Sequence, residues 1–290
     1  MTTRSRLAVP ELLPEFVPRH APLLRLLRSE LRWTFRRPRT LVTLVLLTLF
    51  PVVLGIGATI VDEPIRGNGQ LGVITAMTRN ALALPLIALS ATLVFLLPLA
   101  CAMSAADALA GEAAHGTLRG LLLAPVGRLR LLAVKAFAVA TVAVVASTLV
   151  AVMGFLTGLA IAGTDGTATI SGSTLSLPGA AGRVVIATLW VVVQLWAVSA
   201  IALAVSASTE HPLLVMASVL GGLIVLGLLA TIPALDWLRP FLITDSWPSM
   251  VDFLRDPIPS EGLVTGLSRA TCHILIGAGL AVARMVTKDG

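Results

Sequence analysis

Few residues of this chain have the types and spacings that enzymatic chemistry requires. Asp252 and Asp256 stand four residues apart, a spacing that could hold Mg²⁺ on a diphosphate and that keeps an intramembrane enzyme as a weak alternative. The pair is single, and Arg255 beside it favours a solvated face with local ion pairing. The sequence therefore predicts no metal site and no catalytic residues here.

Motifs for nucleotide binding and hydrolysis are missing from the sequence. Neither of the two lysines, Lys135 and Lys288, follows the glycines of a phosphate-binding loop. The sequence contains no H-E-x-x-H zinc motif and no Gly-x-Ser-x-Gly nucleophile motif. The chain is therefore predicted not to be an enzyme and to hold no cofactor of its own.

The composition indicates that much of the chain is surrounded by lipid. Hydrophobic residues make up 57% of the 290 residues and glycine adds 24 more, whereas soluble domains are roughly 45–50% apolar with glycine included. A bilayer core needs a helix of about 20 apolar residues. Six stretches meet this requirement, so we expect an all-α integral membrane protein with six transmembrane helices at 40–61, 81–103, 136–161, 184–205, 213–232 and 263–283.

The distribution of positive charge predicts the orientation. Nine of the 21 Lys and Arg residues precede the first span, four lie between the second and third spans, and two follow the last. Cationic segments are retained on the cytoplasmic side during insertion. We therefore expect both termini in the cytoplasm and a multi-pass protein of the cytoplasmic membrane. Asp107 then falls at a cytoplasmic helix end, where we expect it to be solvated.

Three segments outside the spans have their own patterns. Residues 22–37 repeat arginine every three or four positions beside leucines, which predicts an amphipathic interfacial helix or a purely topogenic basic segment. Residues 162–183 are rich in Gly, Ser and Thr and predict a flexible connection. Between 233 and 262, Trp247, Val251 and Leu254 share one helical face with Asp245 as an N-cap. This pattern predicts a short re-entrant or amphipathic helix at the outer side.

The loop at 107–135 is the most informative part of the sequence. It continues the second span with an acid-containing helix, breaks at Gly116, and resumes as a short helix with Leu118, Leu121 and Leu122 before Pro125. Leucines on a short cytoplasmic helix, flanked by Arg119 and Arg128, are explained if a partner protein covers them. Burial against the chain's own membrane helices is the alternative.

This loop resembles that of the permease subunits of type-2 ATP-binding-cassette (ABC) exporters. The family pattern is roughly G-E-x-E-x-G-T-L-x-x-L-L-x-x-P-V-S-R followed by a later lysine, and Ala114 and Gly127 depart from it. The segment before the first span, the outer stretch and the basic tail resemble the same family. The matching loop positions are Gly111, Glu112, Gly116, Thr117, Leu118, Leu121, Leu122, Pro125, Val126, Arg128 and Lys135.

The resemblance implies a half-transporter. It would pair with a second permease, identical or homologous, and with two ABC ATPase subunits that carry ATP and Mg²⁺. Loop residues Glu112, Gly116, Thr117, Leu118, Arg119, Leu121, Leu122, Pro125 and Arg128 would form a coupling helix docked on the ATPase. The substrate would be hydrophobic or amphiphilic, a drug, antibiotic, lipid or peptide, and no nucleic acid is expected.

The resemblance also sets the domain organisation. We expect a cytoplasmic N-terminal segment with the interfacial helix at 1–39 and a six-span domain at 40–283. The six-span domain contains the coupling loop at 107–135 and the outer amphipathic region at 233–262. A cytoplasmic tail at 284–290 completes the chain.

Polar residues inside the spans are candidates for a pathway or for packing. Gln194 could line a pathway or hydrogen-bond a neighbouring helix, and Arg269 and His273 share one face of the sixth span. A stand-alone secondary transporter or channel remains the alternative to an ABC permease. That class would be expected to show internal inverted repeats, broken helices or buried acids for ion coupling, and the sequence has no clear repeat and no acids at span centres.

Overall fold

The structure is a computed structural model, and it describes residues 22–60, 80–114, 116, 127–163 and 167–287. Within these ranges every regular element is helical, apart from one antiparallel bridge between Ala168 and Thr174. The α-helices are α1 Leu23–Arg36, α2 Pro38–Ile60, α3 Ala83–Val94, α4 Leu96–Ala108, α5 Ala110–Ala114, α6 Arg128–Ala162, α7 Leu177–Ser208, α8 Pro212–Leu229 and α9 Ser260–Thr287. Two 3-10 helices, Pro233–Phe241 and Ile243–Leu254, precede α9.

Six helical segments of the described chain are long and apolar enough to cross a membrane, which confirms the predicted all-α membrane architecture. These segments are Pro38–Ile60, Leu96–Ala114, Arg128–Ala162, Leu177–Ser208, Pro212–Leu229 and Ser260–Thr287. The segment containing α4 and the α7 segment are the most buried, whereas α2, α8 and α9 are mostly exposed. Helix α1 lies at one end of the bundle, called the α1 end below, and the 3-10 helices lie at the opposite end.

The second predicted span is not one continuous helix, so that prediction was wrong. The helix breaks at Phe95, whose φ of −140° and ψ of −47° separate α3 from α4. Pro98 explains the break, because it has no N–H to donate to the carbonyl of residue 94 and its ring clashes with that carbonyl. The chain then continues beyond the predicted end at 103, through α4 and the short α5.

Close helix approach depends on glycine at two places in particular. A Cβ atom on Gly154 of α6 would lie 2.7 Å from the Cα of Pro85 in α3, and one on Gly158 would lie 2.8 Å from the Cα of Ala81. A Cβ on Gly277 of α9 would lie 2.7 Å from the backbone carbon of Ala200 in α7. Small residues at these positions let the backbones touch.

The segment before α7 is ordered by hydrogen bonds, so the predicted flexible connection was wrong for residues 167–176. The backbone N–H of Thr169 donates to Ser173 over 2.8 Å, and that of Leu175 donates to Thr167 over 3.1 Å. Thr167 and Thr169 are buried. Serine and threonine hydroxyls bond readily to nearby backbone, and this closes a tight turn that composition alone does not distinguish from a flexible loop.

The outer amphipathic segment forms 3-10 helices, and two details of its prediction were wrong. Met250, not Val251, shares the buried face with Trp247 and Leu254. In a 3-10 helix residue i+3 eclipses residue i, so Met250 and Phe253 line up with Trp247 on the buried side, whereas Val251 is 46% exposed. Asp245 is not an N-cap, because its carboxylate instead pairs with Arg269 of α9.

Candidate functional site

Five charged residues meet at the α1 end, where the second span leaves the bundle. We call Glu30, Arg37, Asp107, Glu112 and Lys135 the ionic cluster. Glu30 lies on α1, Arg37 is the residue that follows its last turn, and Asp107 is in the last turn of α4. Glu112 is in α5 and Lys135 lies two turns into α6. The cluster thus joins the end of α1, the beginning of the loop and α6.

Lys135 is the centre of the ionic cluster. Its side chain is only 2% exposed, although it is a lysine on an otherwise apolar helix. The Lys135 Nζ donates to Glu30 Oε1 over 2.7 Å and also to Glu112 Oε1. A buried ammonium requires such partners, because transferring an unpaired charge out of water is very unfavourable. Folding therefore fixes Glu30 and Glu112 around Lys135.

Arg37 forms the second ion pair of the cluster. Its Nη1 lies 2.6 Å from Asp107 Oδ2, and its guanidinium carbon lies 3.2 Å from the centroid of the Trp33 ring. The Lys135 Nζ is 5.1 Å from the same ring, so one indole faces both cations. Asp107 is therefore paired and mostly buried, and the expectation that it is simply solvated was wrong.

A hydroxyl of α7 holds the junction between α4 and α5. The helix breaks at Leu109, where the φ and ψ angles are −124° and −57°. The hydroxyl of Ser206 accepts from the N–H of Ala110 over 3.0 Å and donates to the carbonyl of Ala105 over 2.7 Å. The beginning of the loop is thus bonded to α1, α6 and α7, and it cannot move independently of these three helices.

The predicted coupling residues fall partly inside the described chain. Glu112 is 8% exposed and held by Lys135. Gly116 has a φ of +71°, which favours glycine and supports the predicted break of the helix. The Nη1 of Arg128 donates to the carbonyl of Val286 over 2.9 Å. The remaining predicted coupling residues lie outside the described chain, namely Thr117, Leu118, Arg119, Leu121, Leu122 and Pro125.

The three polar residues predicted inside the spans all make contacts that join helices. The Nε2 of fully buried Gln194 donates to the carbonyl of Gly266 over 3.1 Å. The Nη1 of Arg269 lies 2.6 Å from Asp245 Oδ2. His273 places one ring nitrogen 2.7 Å from the carbonyl of Arg269 and the other 3.2 Å from that of Phe241. All three thereby hold α9 against α7 or the 3-10 helices.

At the opposite end, Asp256 fastens the 3-10 helices to α7. Its carboxylate accepts from the Ser173 hydroxyl over 2.9 Å and from the Arg183 guanidinium over 3.2 Å. These two donors, Ser173 first, hold the pKa of Asp256 below its ordinary range. Asp252 pairs instead with Arg255. The two aspartates therefore have separate basic partners, and among the described residues no group of three or more His, Cys, Asp or Glu side chains could hold a metal ion.

Sequence reasoning missed most of the ionic cluster. Glu30 was not singled out, Arg37 was counted only as a topological charge, and Lys135 was noted only as part of the family pattern. One signal was available. Lys135 begins an uninterrupted apolar run, and a lysine at the end of a span needs a carboxylate partner when it is buried.

A family model described as "ABC-2 family transporter protein" matches residues 24–255, which includes the whole ionic cluster and five of the six spans. No curated protein matches the chain.

Proposed function

Because the chain belongs to the ABC-2 transporter family and is a multi-pass membrane permease component of an ABC transporter, we infer that ATP is hydrolysed on partner ATPase subunits. From this premise we propose that it is the permease subunit of an exporter. Two permeases, identical or homologous, would enclose the path of a hydrophobic or amphiphilic substrate. The protein would lie in the cytoplasmic membrane with both termini and the α1 end in the cytoplasm.

The observation that carries the proposal is the ionic cluster at the root of the loop. In the proposed mechanism, ATP binding with Mg²⁺ closes the two ATPase subunits, and their motion pushes on a coupling helix around residues 112–128. Glu112 bonds to Lys135, and Asp107 bonds to Arg37. A displacement of the loop must therefore move α6 and α1 as well as α4, because separating them would break buried ion pairs.

This linkage offers a physical route from ATPase closure to a change of access. The break at Phe95 and the break at Leu109 divide the second span into α3, α4 and α5. Such breaks are places where a helix can change direction without losing many internal hydrogen bonds. Motion of the loop would shift α4 between its packed neighbours, and the cavity between two permeases would open alternately to the two sides.

The exposed apolar surfaces of the helices support the presence of a partner protein within the membrane. Helices α2, α8 and α9 carry most of the exposed large apolar side chains of the described spans. Lipid covers part of such a surface, and a second permease would cover another part. The polar contacts of Gln194, Arg269 and His273 support a packing role for these residues, so we assign the pathway to the apolar surface between permeases.

The experiment that tests this proposal substitutes the loop in the complete transporter. Replacing Leu121 with aspartate should leave membrane insertion intact but uncouple ATP hydrolysis from transport, because the charge would disrupt an apolar contact with the ATPase. Leu213, which is 79% exposed at the start of α8, provides a matched control for the same substitution. Full transport by Leu121→Asp with the ATPase still bound would refute the coupling assignment, and ATP-independent transport by the chain alone would favour a secondary transporter.

A further inference from the structure

An apolar cleft of about 420 Å³ opens on the outer face of the bundle between α6, α7 and α9. Small side chains on the three helices create it, including Ala136 and Ala140 of α6 and Ala278 of α9. Trp196 of α7 forms one wall, with its Nε1 donating to the carbonyl of Ala140 over 3.2 Å. The indole therefore presents carbon to the cleft, because its one polar group is already satisfied.

The cleft opens sideways, towards the surroundings of the helices. Leu129 is 55% exposed and Trp196 and Val282 are each 38% exposed at its rim. Most of the lining is aliphatic. An occupant would therefore enter from the hydrocarbon of the bilayer, and the part that enters must itself be apolar.

The length of the cleft matches one leaflet. Along α6 the lining extends from Leu129 to Ala140, about 16 Å at a rise of about 1.5 Å per residue. The hydrocarbon core of a bilayer is about 30 Å thick, so one layer of acyl chains is about 15 Å deep. An acyl chain lying along the cleft would reach from the bilayer midplane to the level of the α1 end.

Positive charge lies at that end of the cleft. Arg128 reaches from the first turn of α6 to the carbonyl of Val286 in the last turn of α9, which closes the cleft between these helices. Arg284 follows the lining residue Ala281 by three positions, which makes the two neighbours on the helix surface, and Arg284 is exposed. Within the residues that the structure describes, Arg284 has no acidic partner within ion-pair distance. Arginine at this depth is suited to an anionic phosphate headgroup.

We propose that the cleft between α6, α7 and α9 binds one anionic phospholipid, with an acyl chain against Trp196 and the headgroup phosphate at Arg128 and Arg284. The lipid would fill the space between α7, α9 and α6, the helix that carries Lys135 of the ionic cluster. Lipid binding at this site is not a step of the proposed transport function, although α9 also belongs to the surfaces at which a second permease is proposed. Its failure would therefore leave the proposed transport function untouched.

The experiment measures quenching of Trp196 fluorescence by lipids brominated on the acyl chain. Purified protein is reconstituted into vesicles of unlabelled phosphatidylcholine with a small fixed fraction of brominated phosphatidylglycerol or, in parallel, brominated phosphatidylcholine. The Trp196 signal is the difference between wild type and Trp196→Phe. We expect the anionic lipid to quench this signal more strongly than the zwitterionic lipid at equal mole fraction.

Two substitutions test the site with matched controls. Arg284→Gln should weaken the apparent binding of the anionic lipid about fivefold, the usual effect of one basic residue near the membrane surface, whereas Arg39→Gln, also exposed at the α1 end, should not. Ala278→Phe fills the cleft and should abolish the excess quenching, whereas Ala283→Phe on the same helix lies outside the lining and should preserve it.

Three results would overturn the proposal. The first is equal quenching by the two lipids, which would mean ordinary bulk contact. The second is no quenching of Trp196 by either lipid, which would mean that a protein surface covers the cleft. The third is an anionic preference that survives both Arg284→Gln and Ala278→Phe, which would place the lipid elsewhere.

Discussion

Removing the positive charge of Lys135 should strongly destabilise the protein. The side chains of Lys135, Glu112 and Glu30 are 2%, 10% and 16% exposed. Lys135→Met keeps the length of the side chain but leaves two mostly buried carboxylates without their shared cation. The other cation of the cluster, Arg37, is already paired with Asp107. Breaking a buried ion pair from one side costs about 3–5 kcal/mol, and we expect a loss of this size.

The measurement is the free energy of unfolding in mixed detergent micelles, followed by loss of tertiary tryptophan fluorescence. A double-mutant cycle with Glu112→Gln separates the pair from general damage. Because the neutral glutamine no longer needs a cation, Lys135→Met should lower the free energy of unfolding by less in the Glu112→Gln background than in wild type. The difference is the interaction energy of the two residues, which we expect to be about 0.5–3 kcal/mol. Arg39→Gln, at an exposed position of the same end, should stay within about 0.5 kcal/mol of wild type.

Either of two results would refute the proposed role of Lys135 in holding Glu30 and Glu112. Lys135→Met could prove as stable as Arg39→Gln, which would mean that the carboxylates are well solvated without the lysine. Alternatively, the effects of Lys135→Met and Glu112→Gln could add without an interaction energy, which would mean that the two side chains do not bond.

The other predictions concern the opposite end and the helix contacts. Because the folded-state pKa of Asp256 is lowered, its bonds to Ser173 and Arg183 stabilise the protein above the unfolded carboxyl pKa of about 3.9 and are lost as the pH falls through the lower folded value. The stability difference between wild type and Asp256→Asn should therefore vanish in acid, and a difference that is constant from neutral pH to pH 3 would contradict this. Gly154→Ala should destabilise by about 1–3 kcal/mol because its Cβ would meet the backbone of Pro85, whereas Gly57→Ala, which meets nothing within 4 Å, should be neutral or stabilising in thermal unfolding. Arg269→Gln should loosen the first turns of the second 3-10 helix, which hydrogen exchange of residues around Asp245 would detect, and unchanged exchange would show that the pair does not hold this segment.

The sequence predicts the number and nature of the spans because a bilayer imposes a requirement that is local in the chain. About 20 apolar residues must follow one another, and each described span satisfies this rule independently of its neighbours. The break at Phe95 had a local signal in Pro98, but mean hydropathy does not register a lost backbone hydrogen bond. The predicted span also ended at 103, before Asp107, because an acidic residue was expected to lie in water, whereas in the structure Asp107 is paired with Arg37 inside α4.

Contacts between distant segments were less accessible from the sequence. Lys135 bonds to Glu30 across 105 positions and to Glu112 across 23, and the packing of α1 against α6 is what brings Lys135 and Glu30 together. The same limit applies to Asp256, whose partner Arg183 is 73 positions away. Charge counting treated each of these residues as a solvated or topological charge because it considers segments one at a time.

The turn at 167–176 illustrates a different ambiguity. Glycine, serine and threonine are frequent both in flexible connections and in turns closed by side-chain hydrogen bonds. Residues 167–176 form a hydrogen-bonded turn because the 3-10 helices provide partners for it, including the carbonyl of Leu254, which accepts from the N–H of Ile170 over 2.9 Å.

The most direct test of the central claim is photo-crosslinking from the loop in the assembled transporter. A photoreactive amino acid at Leu121 should form an adduct with the ABC ATPase subunit. The same amino acid at Trp237, which is 68% exposed at the opposite end, should form none. An ATPase adduct from position 237, or its absence from position 121 in a complex that hydrolyses ATP, would contradict the account.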